Sequence, residues 1–212
     1  DSGENWTRVS ADHRLIQRAW YYTEVFLDPI DADTIYVMSA TAYKSIDGGN
    51  SWVHIGLEES WHIGEIVVHP TDPDIVFVVV MGKFWTSSKE KGIYKTTDGG
   101  ETWNQVLYVN ETTRANDIVI SPSNPNILYA SMWEFRRTAW SFSSGGDNSA
   151  LYKSTDAGKT WNKIHNGFPD GQLGRLAIAV APSDANILYT VIEAEDPKRK
   201  GLYRSDDAGA NR

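Results

Sequence analysis

The sequence has no cysteine, which removes disulfides, thiolate metal sites and cysteine nucleophiles together. It has no apolar run near the roughly 20 residues of a spanning helix, so membrane insertion is not encoded in helical form. The longest such run, residues 75–81, is strand-sized. Basic residues are the minority, 20 against 28 acidic, and the formal charge of −8 argues against nucleic acid as a main partner. The one dense basic run, Lys198-Arg199-Lys200, follows an acidic stretch and reads as a solvated loop. No stretch carries a helical period of useful length. No Gly-x-Ser-x-Gly or phosphate loop occurs, and His13, His54, His62, His69 and His165 lack metal-ligand spacing, so neither metal nor cofactor is expected. No signal peptide is visible in the 212 residues. Tryptophan, in contrast, is abundant: nine residues, a number that needs a reason.

The reason is a repeat. Tyr43-Lys44-Ser45-Ile46-Asp47-Gly48-Gly49-Asn50-Ser51-Trp52 returns as Tyr94-Lys95-Thr96-Thr97-Asp98-Gly99-Gly100-Glu101-Thr102-Trp103 and as Tyr152-Lys153-Ser154-Thr155-Asp156-Ala157-Gly158-Lys159-Thr160-Trp161. A fourth copy, from Tyr203 through Asp207 to Arg212, keeps the front half and has Arg in place of Trp. A partial copy opens the chain from Asp1 to Trp6. The motif reads as a hairpin: Tyr-Lys-Ser ends one strand, Asp and Gly shape the turn, and Thr-Trp starts the next strand. Asp1, Asp47, Asp98, Asp156 and Asp207 are accordingly expected to be structural, and Trp6, Trp52, Trp103 and Trp161 to be buried over their turns.

A second repeated element precedes each full motif, as in His69-Pro70-Thr71-Asp72-Pro73-Asp74 and Ser121-Pro122-Ser123-Asn124-Pro125-Asn126. Proline and Asn/Asp between β-branched runs spell a turn joining two strands. Asp28, Asp31 and Asp33 lie in such a turn and lack the Gly and distal Glu of an EF-hand, so turn capping is expected there rather than calcium. Each unit thus holds four short strands, A to D; in the second they fall near 65–68, 75–81, 93–96 and 102–107. Four antiparallel strands every fifty or so residues is the arithmetic of an all-β propeller blade. The expected division is a partial blade 1–20, blades 21–60, 61–113 and 114–172, and a partial blade 173–212. The first ten residues read as a D strand that either closes four blades with the last unit or belongs to a larger array; the larger array is the expectation.

The Ser/Thr-x-Asp-x-Gly-x-Thr-Trp pattern resembles the Asp box, or bacterial neuraminidase repeat, of sialidases, xyloglucanases and sortilin receptors. Segments such as Ala150-Leu151-Tyr152-Lys153-Ser154-Thr155 and Leu173-Gly174-Arg175-Leu176-Ala177 look like large exported bacterial proteins labelled sortilin-like or BNR-repeat glycosyl hydrolase. That resemblance implies a propeller outside the cytoplasm, whether extracellular, periplasmic or on the cell surface. It transfers no catalytic residue: the Arg-Ile-Pro segment of sialidases is absent, Arg136 and Arg137 lie in an insertion, and the Gly-rich motifs before the xyloglucanase aspartates are missing.

In a propeller, the A–B and C–D turns share one end and the B–C and D–A loops the other. The Pro turns and Asp boxes take the first end, and the variation lies at the second, with B–C loops at 82–92, 131–149 and 193–201. The variable end is where ligands are expected. Trp133, Phe135, Arg136, Arg137 and Trp140, with Phe142 beside them and Trp85 in the neighbouring loop, suit sugar faces or a peptide; the alternative is that these rings tuck the insertion onto its blade. Trp85, Trp133 and Trp140 have no repeat counterpart and are expected to be exposed. Counting back from each turn Pro places Glu24, Glu65 and Asp117 at one position, with Arg175 added if two residues are inserted. Such carboxylates, together with Glu193, are the candidates for an acid/base pair. Two functions follow as expectations: a binding or scaffold propeller recognising protein or glycan, or a glycoside hydrolase.

Overall fold

The computed structural model describes residues 4–16, 24–38 and 41–210. Its strands pair into four antiparallel sheets in chain order. The first holds β1 (Glu24–Leu27), β2 (Ile35–Met38), β3 (Ala42–Ser45) and β4 (Val53–His54). The second holds β5 (Ile63–Val68), β6 (Val76–Val80), β7 (Gly92–Thr96) and β8 (Asn104–Leu107). The third is built from β9 (Thr113–Ile120), β10 (Leu128–Arg137), β12 (Ala150–Ser154) and β13 (Asn162–Ile164), with β11 (Phe142–Ser144) added beside the far end of β10. The fourth has β14 (Leu173–Val180), β15 (Leu188–Ala194) and β16 (Gly201–Ser205). Strand order follows chain order within each sheet, and β1, β5, β9 and β14 stand side by side as inner strands. This is an all-β propeller arrangement of up-and-down blades.

Each Asp box closes through the same bonds. Ser45 Oγ donates to Asp47 Oδ1 at 2.7 Å and accepts from Gly49 N at 2.9 Å, while Asp47 takes Ser51 N at 2.8 Å and Ser51 Oγ at 2.6 Å. Thr96/Asp98/Thr102 and Ser154/Asp156/Thr160 repeat the pattern. Asp207 keeps the Ser205 bond and takes Ala210 N at 3.1 Å; the counterpart of Ser51 here, residue 211, lies outside the described residues. The hydroxyl and backbone donors hold Asp47, Asp98 and Asp156 down to a pKa of about 2. Asp1 and Arg212 lie outside the described residues. The A–B turns are capped by their own side chains: Asp28 Oδ1 accepts from Ile30 N at 2.7 Å and Asp31 N at 3.0 Å.

Blades pack through apolar faces, Tyr36, Met38, Ile55, Ile63, Ile66 and Val78 between the first and second, and Phe77, Val79, Ile93, Ile118, Leu128 and Ala130 between the second and third. Polar struts cross the same grooves. Lys44 Nζ reaches Gly99 O at 3.2 Å, Lys95 Nζ reaches Ala157 O at 2.9 Å, and Lys153 Nζ reaches Ala208 O at 2.8 Å. Each ammonium also lies over an aromatic ring, of Tyr36, Phe77 or Tyr129, at 5.3 to 5.4 Å. The Lys of Tyr-Lys-Ser/Thr is therefore a tie to the next blade's box.

The box tryptophans divide. Trp52, Trp103 and Trp161 are partly buried with bonded indole N–H groups, Trp103 to Ile55 O of the preceding blade at 2.6 Å and the others to Gly49 O and Gly158 O. Trp6 breaks the expectation of burial: it is 89% exposed. Its neighbour Val9 does pack over Gly49, as Ile55 packs over Gly100 and Ile164 over Gly209. The segment thus sits where the D strand of a preceding blade would, leaving the Trp6 ring outside. The groove between the third and fourth sheets holds a cavity of about 530 Å³ lined by Leu151, Ile164, Ile178, Leu188 and Tyr203. Register makes these the counterparts of Ile93, Val106, Ile118, Leu128 and Tyr152, among which Trp161 packs one blade earlier.

A candidate binding face over the second and third blades

At the inner strands, two of the carboxylates aligned from the sequence meet. Glu65 and Asp117 lie close enough to perturb one another, and each caps the next inner strand: Glu65 Oε2 accepts from Ile118 N at 3.1 Å, and Asp117 Oδ2 accepts from Ile178 N at 2.9 Å. Burial, then the charge of Asp117, pushes the Glu65 carboxyl up to about 8. Burial also raises Asp117. Both shifts favour a proton kept by the pair, and Glu65 carries the larger rise. Glu24 is exposed on β1 and adds a weaker repulsion on Glu65.

The fourth unit does not continue the series. Val79, Ser131 and Val191 are equivalent on the B strands, and their inner-strand partners are Glu65, Asp117 and Ala177. Ala177, not Arg175, holds the position, because the irregularity in β14 falls between Leu173 and Leu176, further from the turn. Arg175 instead bonds Asn116 Oδ1 through Nε at 2.8 Å and lies over the Trp133 ring at 5.6 Å. Glu193 is held by Ser144 Oγ at 2.6 Å and Arg175 N at 3.0 Å. Burial raises its carboxyl, but those two donors outweigh it and leave it lowered, as suits a fixed anion rather than a proton donor.

The insertion of the third blade is less of a loop than its sequence implied. β10 runs ten residues to Arg137 and folds back on β11, so Trp133 and Phe135 are strand residues. Both are buried, 9% and 7% exposed, which corrects their reading as ligand-facing rings. The cause is Arg114, a buried guanidinium stacked 3.7 Å from the Phe135 centroid and 4.4 Å from Phe84, with Trp133 at 5.6 Å. Trp133 Nε1 also donates to Ser144 Oγ at 3.1 Å. Lys91, equally buried, bonds Glu111 O at 2.7 Å and Thr86 O at 3.2 Å, pinning the 82–92 loop; burial lowers its ammonium to about 8. No sequence motif marked Arg114 or Lys91.

Above this packed layer three indoles remain in solvent, Trp140 at 88% exposed, Trp85 at 56% and Trp61 at 50%, together with the Phe142 ring at 60%. Arg137 lies over Trp85 at 5.3 Å and Lys83 over Trp61 at 4.8 Å. Trp61 was missed because it sits in a D–A connection without a motif. The signal is backbone: Trp61 has φ 60° and Leu57 φ 59°, a conformation bulky side chains avoid, flanking the short 3-10 turn Glu58–Ser60. His62 stacks on Phe84 at 4.1 Å, which joins this turn to the second blade's loop. Trp85 and Trp140 thus answer to the expected exposure, and Arg136 and Arg137 are exposed beside them. The rings form a shallow surface: the space among Phe84, Trp85, Phe135 and Arg136 is about 10 Å³, room for a water only.

The Sortilin-Vps10 family profile, described as "Sortilin, neurotensin receptor 3,", matches residues 1–129. The chain belongs to the Sortilin-Vps10 family. The Dispase autolysis-inducing protein of Streptomyces mobaraensis is 35% identical over 71 residues, 33% of this chain and 18% of that protein. This Sortilin-Vps10 chain therefore spans less than a fifth of that curated relative. Among solved structures, the Xanthomonas campestris GH74 xyloglucanase superposes at TM-score 0.67 with 20% identity, over 88% of this chain and 29% of the enzyme. An ancestral GH74 enzyme gives 0.66 at 21% identity, over 90% and 23%. A chain of the nidogen/laminin complex gives 0.54 at 15% identity, over 85% and 62%. At these identities the likeness is one of fold.

Proposed function

We propose that this chain is a binding segment of a larger propeller that works outside the cytoplasm and takes a protein or glycan ligand across its loop-rich end, without hydrolysing it. The carrying observation is that Glu65 and Asp117 are each engaged by the backbone of the neighbouring inner strand, at Ile118 N and Ile178 N. Glycosidases need their two carboxyls about 5–5.5 Å apart for retention, or about 6.5–9.5 Å apart for inversion with a water between. Glu65 and Asp117 are instead adjacent, partly buried groups that hold neighbouring inner strands, an arrangement that turns neither toward a glycosidic bond. The raised Glu65, partly buried beside Asp117 and bonded to Ile118 N, serves the inner strands rather than a leaving group.

The exposed Trp61, Trp85 and Trp140, on a rigid layer fixed by Arg114 and Lys91, supply the contact surface. Aromatic rings of this kind carry binding energy at low entropic cost. The reading is tested by a glycan array and a hydrolase screen on the same protein. Binding without turnover is expected. Release of reducing sugar from any bound glycan, abolished in Asp117→Asn, would establish the glycoside hydrolase instead.

A further inference from the structure

We infer that the ligand of this face is an acidic polysaccharide, a chain of uronate-type sugars lying across Trp61, Trp85 and Trp140; this rests on the binding reading above. The first ground is where the charge sits. In a chain of net charge −8, Asp31, Asp33, Asp72, Asp74 and the box aspartates gather at the turn end. In the loops of the second and third blades at the other end the carboxylates lose their majority: Lys83, Lys89, Lys91, Arg136 and Arg137 stand with Glu90, Glu111, Glu134 and Asp147, five cations to four carboxylates, of which Lys91 is buried and Glu134 is held by Asn148. Glu90 is turned onto Ser88 Oγ at 2.7 Å. Glu58 and Glu59 precede Trp61, so the cations that reach solvent gather around Trp85 and the third blade's insertion, with Lys83 alone beside Trp61.

The second ground is that these cations are not spent on the protein's own carboxylates. Among the described residues the ion pairs are Arg14–Asp12 and Arg204–Asp206, both elsewhere. Lys83 and Arg137 instead lie over exposed indoles. A ring with a cation at its face matches a pyranose that carries a carboxylate: the C–H face stacks on the indole while the anion meets the ammonium or guanidinium. The third ground is shape. There is no enclosed pocket beneath the rings, and three rings distributed over two blades and the connection before them suit an extended polymer better than a small molecule. Repeating planar rings favour sugars over an acidic peptide, whose side chains offer charge without a stacking face.

The test uses the 212-residue chain with polygalacturonate, its carboxyl-reduced neutral counterpart and polyglutamate as probes, measured by calorimetry. Polygalacturonate is expected to bind, to weaken at least tenfold between about 50 and about 500 mM salt, and to bind at least tenfold tighter than either other probe. Trp85→Ala and the pair Lys83→Ala/Arg137→Ala should each cost about tenfold with unchanged near-UV circular dichroism, and Arg137→Lys should recover part of the loss. Equal binding of the reduced polymer overturns the acidic ligand while leaving the binding reading intact. Tighter binding of polyglutamate overturns the sugar in favour of an acidic peptide. Binding that survives Trp85→Ala and the Lys83/Arg137 pair overturns the location. Silence with all three probes overturns the inference; if the glycan array and a protein-partner screen are silent too, the binding reading falls with it.

Discussion

Replacing Glu65 with Gln should make the protein's stability nearly independent of pH between 5 and 8. In the native state Glu65 keeps its proton up to about 8, whereas in the unfolded chain it loses it near 4.5. A group with a raised folded pKa contributes fully below the unfolded value and loses that contribution as pH rises through the folded one. Between those limits the native state binds the extra proton, so stability falls with pH by at most about 1.4 kcal/mol per unit. Over the roughly three units involved the ceiling is about 4 kcal/mol, and solvent access to a partly buried pair brings it to about 2 kcal/mol. Gln reproduces the protonated acid: its carbonyl accepts from Ile118 N and its amide stands uncharged beside Asp117. Urea unfolding at pH 5, 6.5 and 8 is the assay. Wild type should lose about 2 kcal/mol across the series and Glu65→Gln well under half of that, with Glu65→Ala destabilised by about 1–3 kcal/mol at every pH because Ile118 N is left without its acceptor. A flat wild-type profile, or a Glu65→Gln profile as steep as wild type, would refute the retained proton.

Trp103→Ala should cost about 3–5 kcal/mol in unfolding free energy, since it opens a groove and strips Ile55 O of its donor, whereas Trp6→Ala should fall within about 0.5 kcal/mol of wild type. Ala157, held at φ 59° where the first two boxes use Gly48 and Gly99, should gain about 1 kcal/mol on change to Gly, read as a raised thermal midpoint. Lys95→Met should cost about 1–2 kcal/mol by the same measurement, because Ala157 O loses its strut while the apolar stem is kept. The box aspartates, lowered to about 2, contribute above their unfolded value of 3.8 and lose that contribution as pH falls through about 2; Asp98→Asn should therefore narrow the acid-unfolding difference from wild type below pH 3.

The fold was legible because one turn chemistry is written four times. Asp, Gly and a hydroxyl at fixed offsets specify a hairpin from local bonds alone, and spacing then supplies blade size. The second blade's strands fall within two residues of the positions read from the sequence. What could not be read was partnership across blades. Glu65 and Asp117 aligned correctly, but alignment cannot show that adjacent copies perturb one another and keep a proton. Arg175 was misplaced because two extra residues were allowed between it and the turn, whereas the register from Ala177 to Val180 is unbroken. Trp133 was taken as exposed because the insertion looked like a loop, while for Phe135 the sequence left open whether it met a ligand or tucked the insertion onto its blade, and the second holds. Their burial is decided by Arg114, nineteen and twenty-one residues earlier on a neighbouring strand. Trp61 is the converse case, visible only through its backbone angle.

The lysine struts all point the same way along the chain: Lys44 to the second box, Lys95 to the third, Lys153 to the fourth. The carboxylates do likewise, Glu65 holding β9 and Asp117 holding β14. During synthesis, a blade therefore leaves the ribosome before the groups that satisfy its own cation and carboxylate exist. Its Lys finds a carbonyl only after another fifty to sixty residues have been made and the next hairpin has turned. Docking lags translation by one blade, and the youngest blade on the growing chain is always the loosest. A pause in translation placed just after a box would complete the preceding blade, whereas one placed just before it would expose that blade to proteolysis.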